Sequence, residues 1–336
     1  MRFGLVGYGF GGRYFHAPLL RSAPDIDFAG VVTRSPDRRA ELEKDHPGVT
    51  AYDSLQALVT DGVQAVAIST PADTHIPLAM EAIGLGMAVV VDKPFALDAA
   101  EARTAIEAAE RAGVALSVYQ NRRWDSDLLT VRRLIDTGEL GDITRFESRF
   151  ERFSPDPGPP AAGGGALRDF GAHLVDQALL LFGPADHVYA RMSARHTLDD
   201  DFFVTVAHTG GVESQLWGSW VQGAPGPRFR VTGTTGTYIV DGVDGQEADL
   251  IAGRTPATEG DRWGTEPQAR WGNLYRGGPA EPVPTERGRW DTYYPAFAAA
   301  VRGEAPLPVD PWDVLRNIEV LDAARTSATT GTTIRL

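Results

Sequence analysis

Residues 2–12 read Arg2-Phe3-Gly4-Leu5-Val6-Gly7-Tyr8-Gly9-Phe10-Gly11-Gly12. The run 2–6 reads as a strand that is apolar on both faces, the pattern of a parallel sheet covered by helices on either side. It leads into G-x-G-x-x-G with Gly7, Gly9 and Gly12 in register, and a helical pattern follows from about Arg13. In such a loop one glycine makes the tight turn, another lets backbone approach a pyrophosphate, and a third lets helix and strand pack closely. The helix N-terminus adds N–H groups and a partial positive charge for phosphate. Gly7, Gly9, Phe10, Gly11 and Gly12 are therefore candidate cofactor contacts. A glycine-rich turn without a ligand is the bland alternative. The loop's place at the head of a series of βα units weighs against it.

That series continues with apolar runs at 28–33, 64–69, 88–91 and 114–119, separated by helical stretches. The clearest helix is 98–112, with Asp98 as candidate N-cap and Gly113 past its end. Alternating β and α over about 120 residues predicts a doubly wound α/β Rossmann domain over 1–121. The texture then changes. A helix at 125–137, a long alternating strand at 142–153 and a Pro/Gly-rich loop at 154–165 precede a helix at 167–182. Strand-like runs at 186–195, 201–208, 213–221 and 228–240 follow, then an irregular stretch at 243–290 rich in Gly, Pro and Trp, then helices at 292–302 and 311–327. Residues 122–336 thus read as an α+β domain with a large open, mostly antiparallel sheet, for substrate binding and oligomerisation. An open sheet needs a cover, so a homodimer or homotetramer through that sheet is expected.

Composition narrows the function. At roughly 150 residues per domain, 336 residues suggest two domains. The chain has no cysteine, which excludes disulfides, thiolate metal sites and a cysteine nucleophile. A formal net charge of -13 argues against general nucleic-acid binding, which needs clustered Lys and Arg. No apolar run approaches the roughly 18 residues of a membrane span, and no secretory leader is apparent. The expectation is a cytoplasmic protein with a small-molecule partner, no nucleic acid, no membrane and no metal.

The second strand discriminates between nicotinamide cofactors. NAD sites place a carboxylate at its end to hold the ribose 2′-OH. Here the strand ends Thr33-Arg34-Ser35, with Arg38 and Arg39 following. Arginine between two hydroxyls suits a 2′-phosphate, so NADP(H) is preferred and NAD(H) remains possible. The alternative is that these arginines form a solvated helix start. Ligands of such sheets bind beyond the carboxyl ends of the strands. That places Ser69, Thr70 and Pro71, then Asp92 and Lys93, and Gln120 after the last strand, beside the cofactor. His75 is grouped with them, although it could instead cap or pack in the following helix.

These motifs resemble the Gfo/Idh/MocA oxidoreductases. The resemblance rests on Gly7 to Gly12, on Ser69-Thr70-Pro71 and above all on Asp92-Lys93-Pro94, with Asp92 where the family usually has Glu. It also rests on the Asp-x-x-x-His pattern of residues 165–183. Segments 7–20, 120–127, 233–250 and 263–267, with Tyr293-Tyr294, are similar to NADP-dependent scyllo-inositol dehydrogenase-like members. The resemblance implies metal-free hydride transfer between NADP and a ring carbon of a cyclitol or sugar. A non-catalytic sugar- or cofactor-sensing regulator and a nicotinamide-dependent glycosidase are the other activities such a fold could carry.

Oxidising an alcohol needs a base for the hydroxyl proton, and reduction needs an acid at the carbonyl oxygen. Lys93, just past a strand, can serve, with its backbone restricted by Pro94. Asp169, His173 and Asp176 fall on one face of an ideal helix at about 100° per residue. His173 can shuttle a proton and Asp169 can fix its tautomer or hold a substrate hydroxyl. Taken alone, Asp169 could be only a favourable helix-start charge and His173 a core histidine. With the resemblance, Lys93, Asp169 and His173 form the catalytic set. Asp176 is assigned a supporting role. Asn121, Arg123 and Trp124 are substrate-contact candidates, with hinge or interface packing equally open for Arg123 and Trp124. Asp199 to Asp201 reads as a solvated turn, and the aromatics of 263–294 as packing or oligomer contact in preference to a carbohydrate surface.

Overall fold

The computed structural model describes residues 1–154 and 164–336. The loop expected over 154–165 lies mostly in 155–163, outside the described residues. The chain divides into two compact units. The first comprises residues 1–121, 246–263 and 289–315, and the second comprises 122–245, 264–288 and 316–336.

In the first unit, β1 (Arg2–Val6), β2 (Asp27–Val32), β3 (Thr50–Tyr52), β4 (Ala65–Ile68), β5 (Ala88–Val91) and β6 (Leu116–Val118) form one sheet. Its order is β3-β2-β1-β4-β5-β6 and every pairing is parallel. This is the doubly wound order, with the topological switch between β1 and β4. The helices are α1 (Ala17–Ser22), α2 (Pro36–Asp45), α3 (Leu55–Thr60), α4 (His75–Gly84) and α5 (Ala99–Ala112). β4 and β5 are buried at every position, as their unbroken apolar runs require. Helix α5 starts where Asp98 Oδ1 accepts from the Glu101 N–H at 2.9 Å and stops at Gly113, φ 65°. β3 was not among the expected strands; Thr50-Ala51-Tyr52 forms no apolar run and none of the three is buried.

One boundary differs from the sequence reading. Residues 246–263 and 289–315 pack with the first unit rather than the second. Phe3 in β1 meets Tyr294 at 5.3 Å and Phe297 at 6.0 Å between ring centroids. Tyr293 donates to Ser117 and to the carbonyl of Val118. Trp263, Trp290, Tyr293 and Tyr294 are all buried, so these aromatics serve packing. Nothing local in the sequence marks such a return, because these partners lie 175 to 294 residues away.

The second unit holds α6 (Ser126–Asp136), β7 (Ile143–Glu151), α7 (Ala172–Phe182) and a sheet completed by eight further strands. These are β8 (Ala185–Ser193), β9 (Asp201–His208), β10 (Glu213–Ser219), β11 (Phe229–Gly233), β12 (Thr237–Val240), β13 (Gly272–Tyr275), β14 (Glu281–Val283) and β15 (Ile334–Arg335). The order is β14-β13-β12-β11-β7-β10-β9-β8-β15. All pairings are antiparallel except β7 with β10, which is parallel. The long strand expected to be antiparallel is thus a mixed central strand. The run 228–240 is a hairpin rather than one strand. The stretch expected to be irregular contributes β13 and β14. One sheet face, with Phe146, Val204, Val206, Leu216 and Val231, packs on α6, α7 and the C-terminal part of the helix Pro311–Thr330. No helix among the described residues is long and apolar enough to cross a membrane.

The Asp98 cap gives a stability test. Asp98→Ala is expected to cost about 1 kcal/mol. It should lower the denaturant midpoint of the first unit at unchanged m-value.

Candidate functional site

The glycines of the first loop meet different demands. Gly7 has φ +93°, and a Cβ there would lie 2.3 Å from the Ser69 carbonyl oxygen. A Cβ on Gly12 would lie 2.3 Å from the Gly7 carbonyl oxygen, and one on Gly11 would meet Ser69 Oγ at 2.7 Å and Asp92 Oδ2 at 3.0 Å. These three are glycines because the protein's own atoms fill the space. A Cβ added at Gly9 would meet nothing within 4 Å among the described residues. Backbone is open there to a ligand, beside the start of a helix whose first turns, Gly12–His16, are π-helical before α1. The geometry fits a nicotinamide dinucleotide, with its pyrophosphate held by this backbone. The Phe10 side chain is exposed and stands edge-on to Phe15.

At the end of β2 the arginines part company. Arg39 binds Asp53 Oδ1 at 2.6 Å and the Thr33 carbonyl at 3.0 Å. Arg38 binds Glu41 Oε2 at 2.6 Å. Arg34 makes one long bond, 3.4 Å, to the Asp53 carbonyl, and among the described residues it has no carboxylate partner. Ser35 caps α2, its Oγ accepting from the Arg38 N–H. Arg34 is therefore the one best able to take an added anion.

At the ends of β4 and β5 a compact network surrounds Asp92. Ser69 Oγ donates to Asp92 Oδ2 at 2.9 Å, and Asp92 Oδ1 accepts from the Lys93 backbone N–H at 2.7 Å. Burial alone would raise the Asp92 carboxyl, but the charges of His16, His75 and Lys93 outweigh it and hold it at about 2. Thr70 and Thr74 share a hydrogen bond of 2.7 Å. His75 differs from its expected role. Its Nδ1 lies 2.8 Å from the Pro94 carbonyl and its Nε2 2.9 Å from the Thr70 carbonyl. Both ring nitrogens are committed to protein, so His75 braces two strand exits and has none left for a cofactor. The chain contains only two lysines, Lys44 and Lys93. Gln120 and Asn121, at the exit of β6, are buried.

In the second unit, Asp169 lies in a π-helical turn, Leu167–Gly171, that leads into α7, and His173 is the second residue of α7. The ideal 100° spacing does not hold across that turn. π-turns inside helices are frequent at functional sites. The turn starts where Asp199 Oδ2 accepts from the Leu167 N–H at 2.6 Å and the Asp199 carbonyl accepts from the Ala166 N–H. Asp199 is thus no solvated turn residue, and burial pushes its carboxyl up. The Asp200 carboxylate, also buried, accepts from Arg195 at 2.7 Å. The His173 ring lies nearly parallel to Phe150, itself stacked on Phe170 at 4.5 Å.

Arg123 forms a two-pronged ion pair with Asp176, at 2.7 and 2.8 Å. Both are buried at this pair, so Arg123 holds α7 instead of standing open to substrate as expected. Next to it Arg122 pairs with Asp125 at 3.2 Å and Arg228 with Asp127 at 3.4 Å. Gln177 bridges the Arg122 carbonyl and the Arg228 guanidinium. Burial pushes the Asp125 and Asp127 carboxyls up and the Arg228 guanidinium down. Sequence reasoning missed this cluster, and likewise Asp199 and the buried His16 and Tyr294. Only the position of His16 just after the glycine loop and the doubled tyrosine hinted at the last two.

A doubly wound parallel sheet with an open glycine loop, joined to a second unit built on a broad mixed sheet, defines a nicotinamide-dependent oxidoreductase. Residues 1–120 match the oxidoreductase family with an NAD-binding Rossmann fold, and residues 128–239 match the GFO/IDH/MocA C-terminal domain. The chain belongs to the Gfo/Idh/MocA family of oxidoreductases. It is 34% identical over 348 residues to scyllo-inositol 2-dehydrogenase (NADP(+)) IolW of Bacillus subtilis, covering 100% of this chain and 96% of that one. It is likewise 34% identical to an uncharacterized oxidoreductase, YdgJ, of Escherichia coli, covering 98% and 96%. A crystal structure of a Klebsiella pneumoniae protein proposed to be an oxidoreductase matches with a TM-score of 0.91 at 37% identity, covering 100% of this chain and 95% of that one.

The glycine geometry separates two variants. Gly9→Ala adds a methyl to open space, so the melting temperature should hold while affinity for the nicotinamide cofactor falls. Gly12→Ala overpacks backbone and should cost about 1–3 kcal/mol of stability. Cofactor titration beside thermal melts reads both. Equal losses of stability would contradict the assignment.

Proposed function

We propose that the protein transfers hydride between NADP(H) and a ring carbon of a cyclitol or sugar, with scyllo-inositol or its ketone as the first candidates. The observation that carries this reading is the position of Lys93. One of only two lysines in the chain, it stands two residues past the end of β5, and Asp92, which holds its backbone, lies against the glycine loop. The full-length similarity to an NADP-dependent scyllo-inositol 2-dehydrogenase supports the substrate class. The cofactor, when bound, supplies or accepts the hydride. Gly7, Gly9, Gly11 and Gly12 would hold its pyrophosphate, and Arg34 with Thr33 and Ser35 its 2′-phosphate. The Lys93 ammonium would hold the substrate oxygen and exchange the proton there. His173 and Asp169 would take part in proton transfer and in binding the ring hydroxyls. Trp124 would offer an apolar face to the ring. Assembly into a homodimer or homotetramer through the nine-stranded sheet belongs to the same reading.

Two measurements test it. Titration of NADPH and NADH is expected to give tighter NADPH binding. Arg34→Ala should remove roughly 10- to 150-fold of NADPH affinity, the worth of a charged hydrogen bond, and leave NADH unaffected. Tighter binding of NADH by the parent protein would sink the NADP assignment. In a panel of inositols, inososes, aldoses and ketoses followed by NADPH absorbance, Lys93→Met should lower turnover by about 10²- to 10⁴-fold with cofactor affinity retained. Unchanged turnover in that variant would end the role given to Lys93. Cofactor binding with no turnover on any member would favour a sensing role.

A further inference from the structure

Behind Lys93 lies a buried chain of polar groups that the reaction as proposed does not use. His16 sits in the π-helical turn after the glycine loop and is fully buried. Its Nδ1 is 2.5 Å from the Tyr294 hydroxyl, and its Nε2 is 3.1 Å from Asp92 Oδ2. Tyr119 covers the imidazole at 4.4 Å and lies nearly parallel to Tyr294 at 5.8 Å. All of these residues belong to the first unit.

The direction of the bonds follows from the donors available. Burial keeps the Tyr294 phenol protonated, so its O–H can donate to Nδ1. The neutral imidazole then carries its proton on Nε2, which faces Asp92 Oδ2 at 3.1 Å. Asp92 Oδ2 therefore faces the His16 ring edge as well as the Ser69 hydroxyl. With Ser69 Oγ on the same oxygen and the Lys93 N–H on the other, its carboxylate has little freedom to rotate. Removing His16 would release one side of that clamp. Asp92, one residue from the Lys93 ammonium, would then be able to turn toward it.

We propose that His16 and Tyr294 are positioning residues for the reaction, acting through Asp92 on the orientation of Lys93. The inference rests on the reading of Lys93 as the proton-exchanging group. It differs from that reading in what it requires of the apo and cofactor-bound protein, so the two can fail separately.

The test uses the full chain carrying Lys44→Arg, which leaves Lys93 as its only lysine. Lysine labelled with ¹³C at the ε-carbon then gives one side-chain signal, observed with NADP⁺ bound. His16→Leu and Asp92→Asn are expected to move that signal. They should lower turnover of scyllo-inositol, or of the best substrate in the panel, by about tenfold or more with NADP⁺ affinity retained. His16→Gln, whose carboxamide N–H can replace Nε2–H, should recover most of both effects. Tyr294→Phe should give a smaller loss of the same kind. The double variant His16→Leu with Asp92→Asn should fall no further than the worse single, because both changes break one chain. If His16→Leu does not fold, the Gln and Phe variants still separate the outcomes. An unmoved Lys93 signal in the folded variants overturns the inference, with or without a substrate in hand. Losses that track only thermal stability, or that add independently in the double variant, overturn it too. Retained turnover in Lys93→Met beside a moved signal would instead overturn the role of Lys93 and leave the clamp standing.

Discussion

Backbone meets backbone at the mouth of the six-stranded sheet so closely that no side chain fits between. A Cβ at Gly7 or Gly11 would stand 2.3 to 3.0 Å from atoms at the exits of β4 and β5, and one at Gly12 would stand 2.3 Å from the Gly7 carbonyl oxygen. That approach brings the start of the first helix onto the Ser69–Asp92 bond. From there the constraint spreads. Asp92 holds the backbone of Lys93, His75 ties the Thr70 carbonyl to the Pro94 carbonyl, and His16 closes the far side of Asp92. A side chain at any of the three glycines would separate these elements before it touched a ligand.

The second unit solves a different problem. It buries several charges near α7, and a buried charge without a partner is costly. Here the partners are specific. Arg123 grips Asp176, Arg122 faces Asp125, Arg228 faces Asp127, and Asp244 accepts from the Ser126 N–H at 2.7 Å. Gln177 uses both ends of its amide within the same group. Together with Asp199 at the turn before α7, these contacts fix the helix that carries His173 and the π-turn that carries Asp169. A π-turn also precedes α1, where His16 lies. In both units, then, a histidine stands where a helix departs from regular geometry.

Much of this was legible beforehand where the physics is local. The glycine spacing, the five apolar parallel strands, the Asp98 cap and Gly113 each depend on neighbours within a few residues. What could not be read depended on distant partners or departed from ideal geometry. Asp199 looked solvated because its partner, Leu167, is 32 residues away. Arg123 and His75 looked like ligand contacts because they follow strand exits, while Asp176 and Pro94, which engage them, lie 53 and 19 residues away. The π-turn before His173 was hidden because period counting assumes 3.6 residues per turn. The parallel pairing of β7 with β10 was hidden because alternation reports a strand's faces and not the direction of its neighbours.

The sequence by itself determined the class of fold, the glycine loop, the family motifs, and Lys93, Asp169 and His173 as candidates. These follow from residue type and short spacing, and such signals survive without coordinates. Only the tertiary structure decided which polar groups were already committed. Of three arginines after β2, two are held by carboxylates and, among the described residues, Arg34 is not. Of the histidines in the first unit, His75 is spent on carbonyls while His16 reaches Asp92. The physical reason is that a side chain's availability depends on the partners folding brings to it, and those partners come from remote parts of the chain.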